Sequence, residues 1–125
     1  MILEPDVIVL YVNDLAVTSK FYCQLLGITP DETSPTFHSF TLSNGMSFAL
    51  KAKHSVVPPV QEYSGHGELA FTLDSYERVD ALFALWAAKK MTIIVPPTQL
   101  PYGYTFVALD PDGHRLRAVC LGESK

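Results

Sequence analysis

The sequence predicts an α+β fold of two tandem βαβββ modules, and three observations carry the expectation. The order strand, helix, three strands occurs twice along the chain. Each half turns one hairpin on a strong turn dipeptide, Asn44-Gly45 and then Asp112-Gly113. Each helix opens on a capping residue, Asn13 or Asp14 in the first half and Ser75 in the second. Val12 matches Leu73 and Gly45 matches Gly113 when the halves are overlaid, so an internal duplication is the simplest account.

Taken in order, Asp6 to Val12 is a β-branched run with Ile8, Leu10 and Val12 on one face and Val7, Val9 and Tyr11 on the other. Phe21, Tyr22, Leu25 and Leu26 then recur at helical spacing, and Gly27 is a natural stop. Extended segments follow around Ile28 to Glu32, Thr36 to Leu42 and Met46 to Lys51. In the second half Glu68 to Leu73 is a strand. Val79, Leu82, Phe83 and Trp86 form a helical stripe, with Lys89 and Lys90 in the last turn. Thr92 to Val95, Tyr104 to Leu109 and Arg115 to Leu121 complete the module. The expected layout is one domain over residues 1–125, with modules near 1–53 and 66–122 and a linker near 54–65 that contains Pro58-Pro59.

A chain of 125 residues can bury one core, and a net charge of −4 without a Lys/Arg run offers nothing to a nucleic acid backbone. Neither a signal peptide nor a membrane-spanning stretch is read near Glu4 and Asp6, so a cytoplasmic protein with no membrane partner is expected. Cys23 and Cys120 are too few and too far apart for a disulfide framework or zinc site, and are expected as buried thiols. Phosphate-binding glycine loops, Gly-x-Ser-x-Gly and His-Glu-x-x-His patterns do not occur.

The combination Val12-Asn13-Asp14-Leu15, Phe21-Tyr22, Leu26-Gly27 and Asp110-Pro111-Asp112-Gly113-His114 resembles the vicinal oxygen chelate superfamily, the group of glyoxalases, bleomycin-resistance proteins and extradiol dioxygenases. The resemblance covers almost the whole chain. It implies a cup-shaped, curved mixed sheet with helices outside, whose concave side holds the ligand. It also implies four metal-ligand positions in the metal-dependent members, falling here on Val7, Ala49, Glu68 and Arg117. Valine and alanine offer no lone pair and a guanidinium repels a divalent ion, so neither metal nor other cofactor is expected.

Glu68 and Arg117 are expected to meet as an ion pair across adjacent antiparallel strands. Two readings stand: a pair that only neutralises itself, or an arginine that offers its donors to a carboxylate or carbonyl of a ligand while Glu68 orients it. His66 falls on the face of Glu68. Tyr11, His38, Phe40, Tyr104 and Phe106 are expected to face the cup, where aromatic walls suit a planar guest. His54 and His114 are expected in solvent and Trp86 in the core, with Cys120 turned towards the helices.

The leading expectation is a metal-free protein that sequesters an aromatic or cationic small molecule, as bleomycin-resistance proteins do, and that is a homodimer as members of that subgroup usually are. The alternative is an enzyme, an isomerase or lyase with Glu68 as base and Arg117 as oxyanion partner, or a metal-dependent member whose ligands lie elsewhere. A non-catalytic interaction module is the third reading.

Overall fold

A computed structural model describes residues 2–59 and 68–122, and the chain divides into two compact units, Met1–Glu62 and Tyr63–Lys125. Each unit carries one helix and one four-stranded mixed sheet. This is the expected α+β arrangement of two βαβββ modules.

In the first unit β1 (Val7–Val12) leads into α1 (Leu15–Leu26), followed by β2 (Glu32–Thr33), β3 (Phe37–Thr41) and β4 (Ser47–Ala52). Asp14 caps the helix by accepting from the Val17 N–H at 3.2 Å, and Gly27 ends it in the left-handed conformation, which a glycine adopts without a steric penalty. The sheet order is β1-β4-β3-β2, with β1 parallel to β4 and the β2-β3-β4 ribbon antiparallel.

One face of this sheet packs on α1, burying Tyr22 against Phe48, with ring centroids 4.8 Å apart, and Phe48 against Phe40. Removing such side chains from water stabilises the unit by about 1.5–3 kcal/mol each. The buried stripe of α1 is Leu15, Thr18, Ser19 and Tyr22. It is half polar, and Phe21, Leu25 and Leu26 lie only at its margins. Ser19 is accommodated there because its Oγ hydrogen bonds to His38 Nδ1 at 2.6 Å.

The second unit repeats the plan with β5 (Glu68–Thr72), α2 (Tyr76–Ala88), β6 (Thr92–Leu100), β7 (Gly103–Leu109) and β8 (Arg115–Leu121), in the order β5-β8-β7-β6. Ser75 caps α2 through the Arg78 N–H at 3.1 Å. Trp86, Phe106, Phe71 and Phe83 make edge-on ring contacts between helix and sheet.

Three expectations are corrected here. β5 and β8 run parallel, not antiparallel, because the connection between them crosses over through α2. β6 continues to Leu100 through Pro96-Pro97, which an edge strand with register shifts at Val95 and Thr98 tolerates despite the missing N–H groups. Lys89 and Lys90 lie just beyond α2, Lys89 as its C-cap and Lys90 at φ 62°. Where the first module was expected to pass into the linker, Lys53–Ser55 form a single 3-10 turn.

Candidate functional site

Among the described residues each sheet has its unit's helix on one face, and the regular strand registers assign side chains to that face or to the opposite, open one. In the first unit Val7, Val9 and Tyr11 of β1 share the open face with Ser47, Ala49 and Lys51 of β4 and with Phe37, Ser39 and Thr41 of β3. In the second, Glu68, Ala70 and Thr72 share it with Arg115, Arg117 and Val119 and with Thr105, Val107 and Leu109. Val7, Val9 and Tyr11 are 49%, 41% and 41% exposed, which separates them from the helix-facing Val12 at 0%.

This register corrects the orientation of four expected cup residues. His38 pairs with Leu50 and Phe40 with Phe48, so both face α1, where His38 bonds Ser19 and Phe40 is fully buried. Phe106 packs on Phe83 and Trp86 of α2. Tyr104 stacks on Tyr76 at 4.5 Å and donates its hydroxyl to Asp80 Oδ1 at 2.6 Å. The Asp80 carboxylate and partial desolvation raise the Tyr104 pKa above its ordinary value, because losing the proton would break that bond and set two anions side by side. Of the expected residues, Tyr11, Glu68 and Arg117 lie on open faces. His66 lies outside the described residues.

Arg117 is the best-held polar group on either open face. Its Nε donates to Glu68 Oε2 at 2.8 Å, and its Nη1 donates to the Tyr102 hydroxyl at 2.8 Å and to Thr105 Oγ1 at 3.1 Å. The local sequence builds this grip. Ala70, directly opposite Arg117 in the parallel register, is small enough for the guanidinium to reach across to Glu68. Thr105 is fully buried and is fixed by donating to the Ala118 carbonyl at 2.8 Å. Tyr102 sits in the β6–β7 turn, its ring 5.8 Å from the guanidinium carbon. The turn depends on Gly103, because a Cβ there would meet the Cys120 carbonyl oxygen and the Leu121 Cα of β8.

These contacts use Nε and Nη1. Nη2 has no acceptor among the described residues, and the Tyr102 hydroxyl, which accepts from Arg117, keeps its own proton to donate. Tyr102 is 46% exposed, so ring and hydroxyl are open to a ligand. Arg115 lies opposite Glu68 in register and is exposed, yet Glu68 pairs with Arg117.

The four positions at which the resemblance puts metal ligands do not suit a metal. Val7 and Ala49 have no donor atom, Glu68 has one oxygen on a guanidinium, and Arg117 puts a cation where the fourth ligand would stand. Among the described residues one group of three candidate ligands occurs, Asp110, Asp112 and His114, in the β7–β8 turn. Asp110 there accepts from the backbone N–H groups of Asp112 and His114 at 2.8 Å each, and its second oxygen is 2.7 Å from His114 Nδ1. The carboxylate thus shapes the turn, and His114 is half-buried against it rather than free in solvent as expected. A separate hollow of about 240 Å³, lined by Leu73, Arg78, Ala81, Leu82 and Leu85, lies on a flank of α2 and holds none of the open-face residues.

Two modules of this βαβββ topology make a fold of the vicinal oxygen chelate type. Residues 5–118 match the model of the Glyoxalase/Bleomycin resistance protein/Dioxygenase superfamily, and the chain belongs to that family. It is 30% identical over 121 residues to the phenazine antibiotic resistance protein EhpR of Enterobacter agglomerans, covering 94% of this chain and 92% of that protein. A protein of Agrobacterium tumefaciens solved by solution NMR is 40% identical, with a TM-score of 0.86 over 98% of this chain and 100% of that one. A glyoxalase-related enzyme from Fulvimarina pelagi, 23% identical, shares the fold at a TM-score of 0.80 over 95% and 88% of the two chains.

Proposed function

We propose that this chain is a metal-independent binding protein that sequesters a planar aromatic antibiotic of the phenazine type. The observation that carries the reading is the arginine centre of the second unit. Glu68, Tyr102 and Thr105 hold the guanidinium, so little side-chain freedom is left to lose when a ligand arrives. Its unused Nη2 edge and the Tyr102 hydroxyl offer donors to a ring nitrogen or carbonyl oxygen, and the Tyr102 ring offers a stacking surface. Because Glu68 already neutralises Arg117, the centre suits an uncharged acceptor atom. The likeness to a phenazine resistance protein over nearly the full length of both chains supports this choice of guest.

Calorimetric titration of the purified chain with phenazine tests the proposal. Saturable binding is expected, unaffected by chelator and weakened about tenfold by Arg117→Met, the equivalent of one charge-assisted hydrogen bond. Absence of binding, or binding abolished by chelator, contradicts it.

A further inference from the structure

We infer that the first unit carries a second, independent ligand-binding element, the row Tyr11–Lys51–Phe37, which recognises an anionic substituent on a planar aromatic guest. In the strand register Lys51 lies directly between Tyr11 of β1 and Phe37 of β3, so one cation is flanked by two aromatic side chains on the open face. Lys51 Nζ is 5.8 Å from the Phe37 ring centroid. No carboxylate lies within ion-pair distance of it among the described residues. Glu32 of β2 reaches the same face, but its register partner is Ser39, one step removed from the row.

The backbone around the row is fixed. Phe37 O accepts from the Ser34 backbone N–H at 2.8 Å and from Ser34 Oγ at 3.3 Å, and the Ala52 N–H donates to Thr36 O at 2.8 Å. Phe37 therefore stands on a braced strand end, and Tyr11, 41% exposed, is the register partner of Lys51 on its other side.

The chemistry differs from that of Arg117. Arg117 has its carboxylate, whereas Lys51 has the Phe37 ring as its partner among the described residues. An ammonium with one ring over it and a second at the neighbouring register position gains most from an anion that is itself attached to a flat ring, because the ring can lie against Tyr11 or Phe37 while the anion meets Nζ. Arg115, also on an open face and without an ion-pair partner among the described residues, has Glu68 and Leu109 as register neighbours and lacks this aromatic flanking. The guest that fits the row is an aromatic carboxylate or phenolate rather than a cationic molecule.

The inference rests on the binding reading above, and one experiment separates their failures. The full chain is titrated with phenazine and with phenazine-1-carboxylate, in parallel with Lys51→Met, Lys51→Arg and Arg117→Met variants whose folding is checked by circular dichroism. Wild type is expected to bind the carboxylate about tenfold more tightly than phenazine, as one charge-assisted contact provides. Lys51→Met should erase that preference with phenazine affinity unchanged, Lys51→Arg should retain it, and Arg117→Met should weaken phenazine while the carboxylate keeps its Lys51-dependent binding. Phenazine binding with no preference in wild type, or a preference that survives Lys51→Met, overturns the Lys51 assignment and leaves the binding reading standing. Failure of both ligands to bind wild type overturns both.

Discussion

Replacing Arg117 with Met keeps most of the side-chain volume and removes every polar contact of the guanidinium. The magnitude follows from the geometry. The Arg117 side chain is 17% exposed and that of Glu68 34%, so the pair lies between a surface pair and a buried one. Its loss costs about 1 kcal/mol, because the abandoned carboxylate regains water. The Nη1 bonds to Tyr102 and Thr105 add about 0.5 kcal/mol each, for a total near 2 kcal/mol. With an unfolding entropy of roughly 2.1 cal/mol/K per residue, a chain of this length should lose about 8 °C in Tm. Differential scanning calorimetry reads this directly. A cycle with Glu68→Gln should return a coupling of about 1 kcal/mol. An unchanged Tm together with zero coupling would refute the claim that these contacts preorganise the guanidinium.

Two further outcomes follow from other parts of the second unit. The Tyr104 pKa is raised in the folded state, so its contribution to stability is fully present below the unfolded tyrosine value and is lost as pH rises through the folded one. Absorbance titration at alkaline pH should therefore contain a step above the ordinary tyrosine value that belongs to Tyr104. That late step should vanish in Tyr104→Phe, along with part of the alkaline loss of stability; an unchanged late step contradicts the assignment. Gly103→Ala should destabilise the fold by about 1–3 kcal/mol, because the new methyl group must displace the β8 backbone at Cys120. Denaturant unfolding measures it, and an effect below about 0.5 kcal/mol would contradict the close approach of the two strands.

The fold was legible because its punctuation is local. Asn44-Gly45, Asp112-Gly113 and the caps Asp14 and Ser75 specify turns and helix starts through a few neighbouring atoms. The open-face residues were only partly legible. Aromatic residues at alternate positions mark a face without saying which face it is, and the helix side takes the largest rings because it is the dry one. The signal that resolves the ambiguity was present in the hairpins. Ser39 and Ala49 are equidistant from Asn44, so placing Ala49 on the open face brings Ser39 and Phe37 with it and turns His38 and Phe40 inwards. In the same way Arg117 brings Val107, and Phe106 must turn towards α2. Lys51 and Phe37 were missed for this reason. Ser19 escaped notice as a core residue because its burial depends on a tertiary partner, His38, that helical periodicity does not reveal.

The account predicts that a planar aromatic guest meets the open face of the second unit at Arg117. The most direct measurement is a ¹H–¹⁵N NMR titration with phenazine that follows the Arg117 side-chain Nε–H and the backbone amides of β7 and β8. Saturable shifts at Arg117 Nε–H, Tyr102 and Thr105 are the expected result. Shifts confined to the α2 flank around Leu73, Arg78 and Leu85, or no shifts at excess phenazine, would contradict it.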